Sequence, residues 1–259
     1  MLSSLQTCIQ CEHEQLTHTM HRFKGIHIRD DLCFEFVCSN KHITKLICEN
    51  QKFEILFDMA ISALLDGYGR EAVSTFAAAQ ERFHEFCIQV FLANMQVNKA
   101  AFRDTWKHVV NQSERQLGAY YFLYLVHFNT TPASDQGKIE FRNKVIHNGL
   151  IPTPHQAEDY AEYIYNYIVQ AILKMRPKYQ ECISEICNDD IDRVKVKLPS
   201  DMMTRSVSLP TAIWLSAPEN RFGKRTFQEL LRDSKDDHKI DLESRLEELD
   251  EELNEAEDE

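Results

Sequence analysis

The sequence predicts a mainly α protein: an antiparallel helical bundle with a small Cys-rich N-terminal subdomain and an acidic C-terminal tail. Three observations carry this reading. Apolar residues recur at steps of three and four through the middle of the chain, five of the eight cysteines fall within the first 50 residues, and negative charge gathers at the end. The 259 residues suffice for one good core with accessories or for two small cores. Hydrophobic residues at 43% and charged residues at 27% match ordinary globular chains and argue against wholesale disorder.

Four zones follow in order, without internal repeats. Residues 1–50 form the Cys-rich zone, with Cys8, Cys11, Cys33, Cys38 and Cys48 and short strand-like pieces such as Phe34 to Val37. Cys8-x2-Cys11 and Cys38-x3-His42 together have the layout of a small zinc ribbon, because zinc takes four tetrahedral thiolate or imidazole ligands. About 40 residues lack the core to fold without such a staple. The implied metal is a structural zinc on Cys8, Cys11, Cys38 and His42. His13 or Cys33 can substitute for a ligand, and the second pair departs from the usual Cys-x2-Cys, which leaves His42 open.

Residues 51–176 read as the bundle. Phe53 to Leu65 is apolar nearly all round, as a buried helix should be. Asp66-Gly67-Tyr68-Gly69 is a turn. Val73, Phe76, Gln80, Phe83, Cys87 and Val90 then make one packed stripe, in which Cys87 acts as a small hydrophobe. Lys99 to Val110 and Glu114 to Phe128 read as two further helices, and Asn129 to Gln136 as a polar loop. Lys138 to Asn148 resumes a helix, stopped by Gly149 and Pro152. The last helix starts near Pro154, with Tyr160, Ile164, Tyr167, Ala171 and Met175 on one face, and is expected to end before Pro177. Residues 177–228 read as a mixed extension: a short helix over Tyr179 to Ile186, then strand-like Val194 to Leu198 and Thr204 to Leu215.

Residues 229–259 form the acidic tail. They hold 15 acidic and 4 basic residues, a net of −11 out of −12, so the first 228 residues lie near −1 and a polyanionic partner is not excluded. Leu242, Leu246, Leu249 and Leu253 have heptad-like spacing, too short for an autonomous coiled coil. A solvated helix explains them. A sharper expectation is that the tail mimics nucleic acid and covers a basic groove. The start, MLSSLQTCIQCEHE, lacks a basic region followed by an apolar core, and no apolar run approaches the roughly 20 residues that cross a bilayer. The expectation is a cytoplasmic protein with no membrane partner, whose cysteines are thiols or metal ligands before disulfides.

Phe141-Arg142-Asn143-Lys144-Val145-Ile146-His147-Asn148-Gly149 carries the chemistry. It follows a polar loop, opens a helix, precedes a Gly/Pro break and sits before the last helix of the bundle. Arginine and asparagine followed by histidine, five residues after the arginine, resemble the Arg-x4-6-His signature of HEPN domains. Gly67-Tyr68-Gly69-Arg70-Glu71-Ala72-Val73 leading to Ala79-Gln80-Glu81-Arg82-Phe83 also resembles that family's long second helix. The resemblance covers roughly half the chain.

It implies a metal-independent endoribonuclease whose site forms where two protomers meet, in a toxin or anti-phage defence setting with an antitoxin or other regulatory partner. Residue chemistry agrees. Cutting RNA without metal needs a proton taken from the 2′-hydroxyl, a proton given to the leaving 5′-oxygen, and charge stabilisation on the phosphorane. His147 suits proton transfer, Arg142 can fork onto phosphate oxygens, and Asn143 can bond phosphate or orient the imidazole. Lys138 and Lys144 would add RNA affinity, against the plainer reading of solubilising lysines. At about 100° per residue, Asn143 and His147 share a face while Arg142 and His147 lie about 140° apart, which favours a homodimer supplying both halves of a groove.

Two other readings stand beside it. A non-catalytic HEPN-like module would bind a partner protein or a nucleotide. A zinc-dependent nucleic-acid-binding regulator would work through residues 1–50, although that zone has few basic residues and no recognition helix in sequence.

Overall fold

The computed structural model of the protein describes residues 4–6, 8–14, 21–23, 29–38, 40–199, 202–217 and 223–239. Strands β1 (Ser4–Gln6) and β2 (His21–Phe23) pair antiparallel and flank a one-turn helix α1 (Ile9–His13), where the sequence shows no helical period. Strands β3 (Cys33–Val37) and β4 (Ile43–Cys48) form an antiparallel pair with Cys33 opposite Ile47 and Val37 opposite Ile43. Six helices follow: α2 (Lys52–Leu65), α3 (Gly69–Asn94), α4 (Lys99–Trp106), α5 (Ser113–Phe128), α6 (Gln136–Asn148) and α7 (Pro154–Lys195). Strand β5 (Thr204–Val207) lies parallel to β4, with Lys45 opposite Thr204. A last helix, α8, covers 227–239, and Leu242, Leu246, Leu249 and Leu253 of the acidic tail lie outside the described residues.

Helix α3 is the axis of the bundle, packed on α2, α5, α6 and α7. Its stripe of Val73, Phe76, Phe83, Cys87 and Val90 is fully buried. Phe57 meets Phe76 at 4.9 Å and Phe53 meets Phe83 at 5.3 Å between ring centroids, at the steep angles aromatic pairs prefer. Cys87 points its thiol at the Met175 sulfur, 3.6 Å away, and behaves as a hydrophobe. Local chemistry sets the helix ends. Asp135 accepts from the Lys138 N–H to open α6, and Gly149, at φ 70°, closes it where a side chain would be strained. Thr153 and Gln156 form a capping box with Pro154 in the first turn of α7.

As the sequence predicts, the helical run breaks beside Pro177: α7 is two helices that meet at a kink at Tyr179 (φ −128°, ψ 21°), and the second runs to Lys195, beyond the expected Ile186. Packing holds the second helix in place: Tyr179, Ile183 and Ile186 are buried, and the Tyr179 hydroxyl hydrogen-bonds His127 Nδ1 at 2.8 Å. The segment from Val194 is therefore the end of a helix and a turn, not a strand. Of the strand-like Thr204 to Leu215, only Thr204–Val207 is a strand.

The rest of that segment is held by polar side chains of the β4–α2 junction. Asn50 accepts from the Leu209 N–H (2.7 Å) and donates to the Leu209 carbonyl (2.9 Å), pairing with it as a neighbouring strand would. Glu54 accepts from the Leu215 N–H at 2.8 Å and Asp58 from the Ala212 N–H at 2.7 Å. Among the described residues no helix is long and apolar enough to cross a membrane.

Candidate functional site

Two constellations stand out. In the first, the turn after β3 and the one-turn helix α1 bring Cys8, Cys11, Cys38 and His42 together, with donor atoms all within 4.8 Å of one another. The three cysteines are buried and the histidine is partly so. Cys11 Sγ lies 3.7 Å from Cys38 Sγ and 3.3 Å from His42 Nδ1, and Cys8 Sγ lies 3.8 Å from His42 Nδ1.

A tetrahedral ion with sulfur ligands at about 2.3 Å and nitrogen at about 2.0 Å places neighbouring ligands roughly 3.5–3.8 Å apart, so the donors fit a metal ion. The outer contacts fit too. His42 turns Nδ1 inward while its Nε2 lies 3.5 Å from Glu14 Oε2, the kind of carboxylate partner that fixes a ligand's tautomer. Asn40 donates to Cys11 Sγ at 3.3 Å. Burial opposes ionisation of Cys38, but the backbone N–H groups of His42 and Asn40 and the neighbouring thiols outweigh it and lower its pKa. Cys33 stands apart from the cluster, its pKa raised mainly by burial. The side chain of His13 lies outside the described part of the chain.

The second constellation is a cavity of about 590 Å³ between α3, α5, α6 and α7. Arg142, Asn143 and His147 all border it, as do Lys138 and Lys144. The motif occupies the second half of α6 rather than opening it, so His147 sits in the last turn. Buried Val145 and the contact of Phe141 with Tyr160, 5.7 Å between centroids, fix the rotation of the helix.

Arg142 Nη2 donates to Glu81 Oε1 at 2.5 Å, and its Nη1 donates to Asn143 Oδ1 at 3.1 Å. A guanidinium has five N–H donors, so others stay available for an anion. Lys138 pairs with Asp159 and also donates to its backbone carbonyl. His147 is exposed, with no hydrogen bond or ion pair among the described residues.

Sequence reasoning missed the aromatic wall. Tyr121, Tyr160, Tyr163 and Tyr167 line it with His84 and Glu81. The only signal for it was Tyr160-x2-Tyr163-x3-Tyr167, a helical stripe readable simply as core. His84 is buried, stacks on Tyr120 at 4.5 Å and hydrogen-bonds the Tyr167 hydroxyl at 2.8 Å through Nε2. Burial pushes its pKa down to about 3, so His84 adds no charge to this wall at neutral pH. Comparison of the chain with protein-family models, with curated proteins and with solved structures returns no match.

Proposed function

We propose that the protein is a metal-independent endoribonuclease of the HEPN type, acting on RNA at a site shared across a homodimer. The observation that carries this reading is that Arg142, Asn143 and His147 border one cavity, with Lys138 and Lys144 beside them. In the reaction, a base takes the 2′-hydroxyl proton, the 2′-oxygen attacks phosphorus, and the phosphorus–5′-oxygen bond breaks. A cyclic 2′,3′-phosphate and a protonated 5′-hydroxyl result. His147, exposed and unencumbered, moves a proton in this scheme. Arg142, held by Glu81, offers its remaining donors to the phosphorane oxygens.

Support for a second copy comes from α5. Next to cavity-lining Tyr121 it exposes Phe122 (73%), Leu125 (45%) and Val126 (68%), an apolar face that no part of the described chain covers. We assign a structural zinc to the Cys8, Cys11, Cys38 and His42 cluster, with no role in cleavage. The toxin or defence setting and an antitoxin-type partner enter through the family resemblance alone.

One observation favours a second reading, a binding module without catalysis. Glu81, Glu114 and Glu140 border the same cavity and offset its cations. Cleavage of total tRNA and a structured mRNA in EDTA, with His147→Ala alongside, separates the two. Cleavage that survives chelation, leaves cyclic-phosphate ends and vanishes in His147→Ala supports the nuclease. No cleavage by either protein, with both folded and dimeric, supports the binding module.

A further inference from the structure

Resting on the nuclease reading, we infer that the tyrosine wall of the cavity is a nucleobase subsite that takes one unstacked base of single-stranded RNA. The cavity divides by chemistry. Its α6 side carries Arg142, Lys144 and His147, groups suited to phosphate. Its α5 and α7 side carries Tyr121, Tyr160, Tyr163 and Tyr167, with ring centroids 6.3 Å apart from Tyr160 to Tyr163 and 6.2 Å apart from Tyr163 to Tyr167.

Tyr160 and Tyr167 are buried in the bundle, whereas Tyr121 and Tyr163 are only half-buried, so part of their ring surface faces the open space. His84 beneath them is kept neutral by burial and adds no charge. The amides of Gln80 and Asn143 border the same space, and Asn143 keeps its NH2 donors while its Oδ1 accepts from Arg142.

A volume of about 590 Å³ lies within the roughly 300–1,000 Å³ of small-molecule sites. A cavity bordered by both tyrosine rings and cations matches how single-stranded RNA is held: bases stack on aromatic rings while arginine and lysine track the phosphates. A base inside a duplex cannot reach such a wall without leaving its stack.

The test is equilibrium binding to the full chain, read by anisotropy of a labelled single-stranded RNA hexamer, with the four nucleoside 5′-monophosphates, ribose 5-phosphate and a blunt RNA duplex as competitors. Binding is read in the His147→Ala background, where cleavage does not consume the hexamer, and each tyrosine variant is compared with that parent, which keeps this subsite distinguishable from the cleavage chemistry. Tyr163→Ala should weaken binding by about tenfold or more, and Tyr163→Phe should restore it, because stacking needs the ring and not the hydroxyl.

At least one monophosphate should compete where ribose 5-phosphate does not, and the duplex should compete poorly. The inference is overturned if folded Tyr163→Ala and Tyr121→Ala both bind as their parent does. It is overturned equally if ribose 5-phosphate competes as well as the monophosphates, or if monophosphates bind while the hexamer does not. Loss of cleavage in His147→Ala with hexamer binding intact supports both readings. Hexamer binding by a wild type that cleaves nothing removes the nuclease and keeps the subsite.

Discussion

The bundle and the cysteine-rich sheet bury their interiors by different means. Around α3 the chain closes on fully buried Phe53, Phe57, Phe76, Phe83 and Phe91, with Tyr120 and Tyr179 equally enclosed. The sheet encloses a much smaller set, Phe34, Leu46, Cys48, Ile55, Val207 and Leu209, packed with Cys8, Cys11 and Cys38. The first region supplies its own hydrophobic driving force, whereas the second adds four converging donors that could hold a metal ion. The two meet at Asn50, whose side chain ties the end of β4 to Leu209. Conditions that attack one kind of cohesion should therefore spare the other.

The largest expected effect is on the sheet. The structural zinc proposed for its four donors would be worth about 10–16 kcal/mol at neutral pH, as in other small structural sites. Strong chelation, or Cys11→Ser, should abolish hydrogen-exchange protection in β3 and β4 while leaving the helical circular dichroism of α2 to α7 nearly unchanged. Simultaneous loss of the helices would break the comparison and show that the Asn50 junction makes one cooperative unit of the two.

Next in size is a blow to the bundle. Phe83 is fully enclosed and packs its ring 5.3 Å from Phe53 and 6.3 Å from Tyr167. Truncating such a residue costs about 3–5 kcal/mol, the lost transfer energy plus the cavity left behind. Denaturant titration of Phe83→Ala should show a lowered midpoint with an unchanged slope, while the zinc content per chain stays at the wild-type value. Loss of metal along with stability would mean that the sheet depends on the bundle.

The two regions also differ in how far the sequence discloses them. The bundle was legible because burial imposes a period. The stripe from Val73 to Val90 and the face from Tyr160 to Met175 came from spacing alone, and both are buried, apart from half-buried Gln80. Ligand chemistry made the metal cluster legible, since Cys-x2-Cys announces itself without knowledge of the fold. Where local rules and long-range packing conflict, the sequence misleads. Val194 to Leu198 reads as a strand, yet the helix that starts at the Tyr179 kink runs on to Lys195.

Pairings between distant segments are not written locally at all. Nothing in Thr204–Val207 names β4 as its neighbour, and nothing in Glu81 announces Arg142, 61 residues away. The tyrosine wall was hidden for another reason: a ring facing a cavity and a ring facing the core obey the same helical period.

The smallest effect separates the regions by the sign of their response to acid. His84 in the bundle stays neutral down to about pH 3, while in the unfolded chain it takes up a proton near its ordinary pKa of about 6.5. From about 6.5 down to 3 the unfolded state holds the extra proton, so this group alone costs stability on acidification, by roughly 1.4 kcal/mol per pH unit.

Glu54, at the junction, behaves oppositely. Burial pushes its pKa up to about 7 against the donors from Leu215, Gln51 and Asn50, so from about 7 down to 4.5 the folded state binds the proton more tightly and gains stability. Asp58 beside it, raised by burial to about 6, adds to the gain. Between about pH 6.5 and 6 the histidine and Glu54 oppose each other, and from about 6 down to 4.5 the two carboxylates together outweigh the single histidine.

Single variants should uncover the slopes. His84→Phe removes the bundle's penalty, so its stability relative to wild type should rise by on the order of 1–2 kcal/mol between pH 7.5 and 5. Glu54→Gln removes the junction's gain, so its relative stability should fall over the same interval. The lost His84–Tyr167 hydrogen bond shifts the first profile by a constant and leaves its slope alone. Denaturation midpoints across that range decide the matter. Parallel profiles for wild type and His84→Phe would mean that His84 accepts a proton near neutrality, and it would add positive charge beneath the cavity.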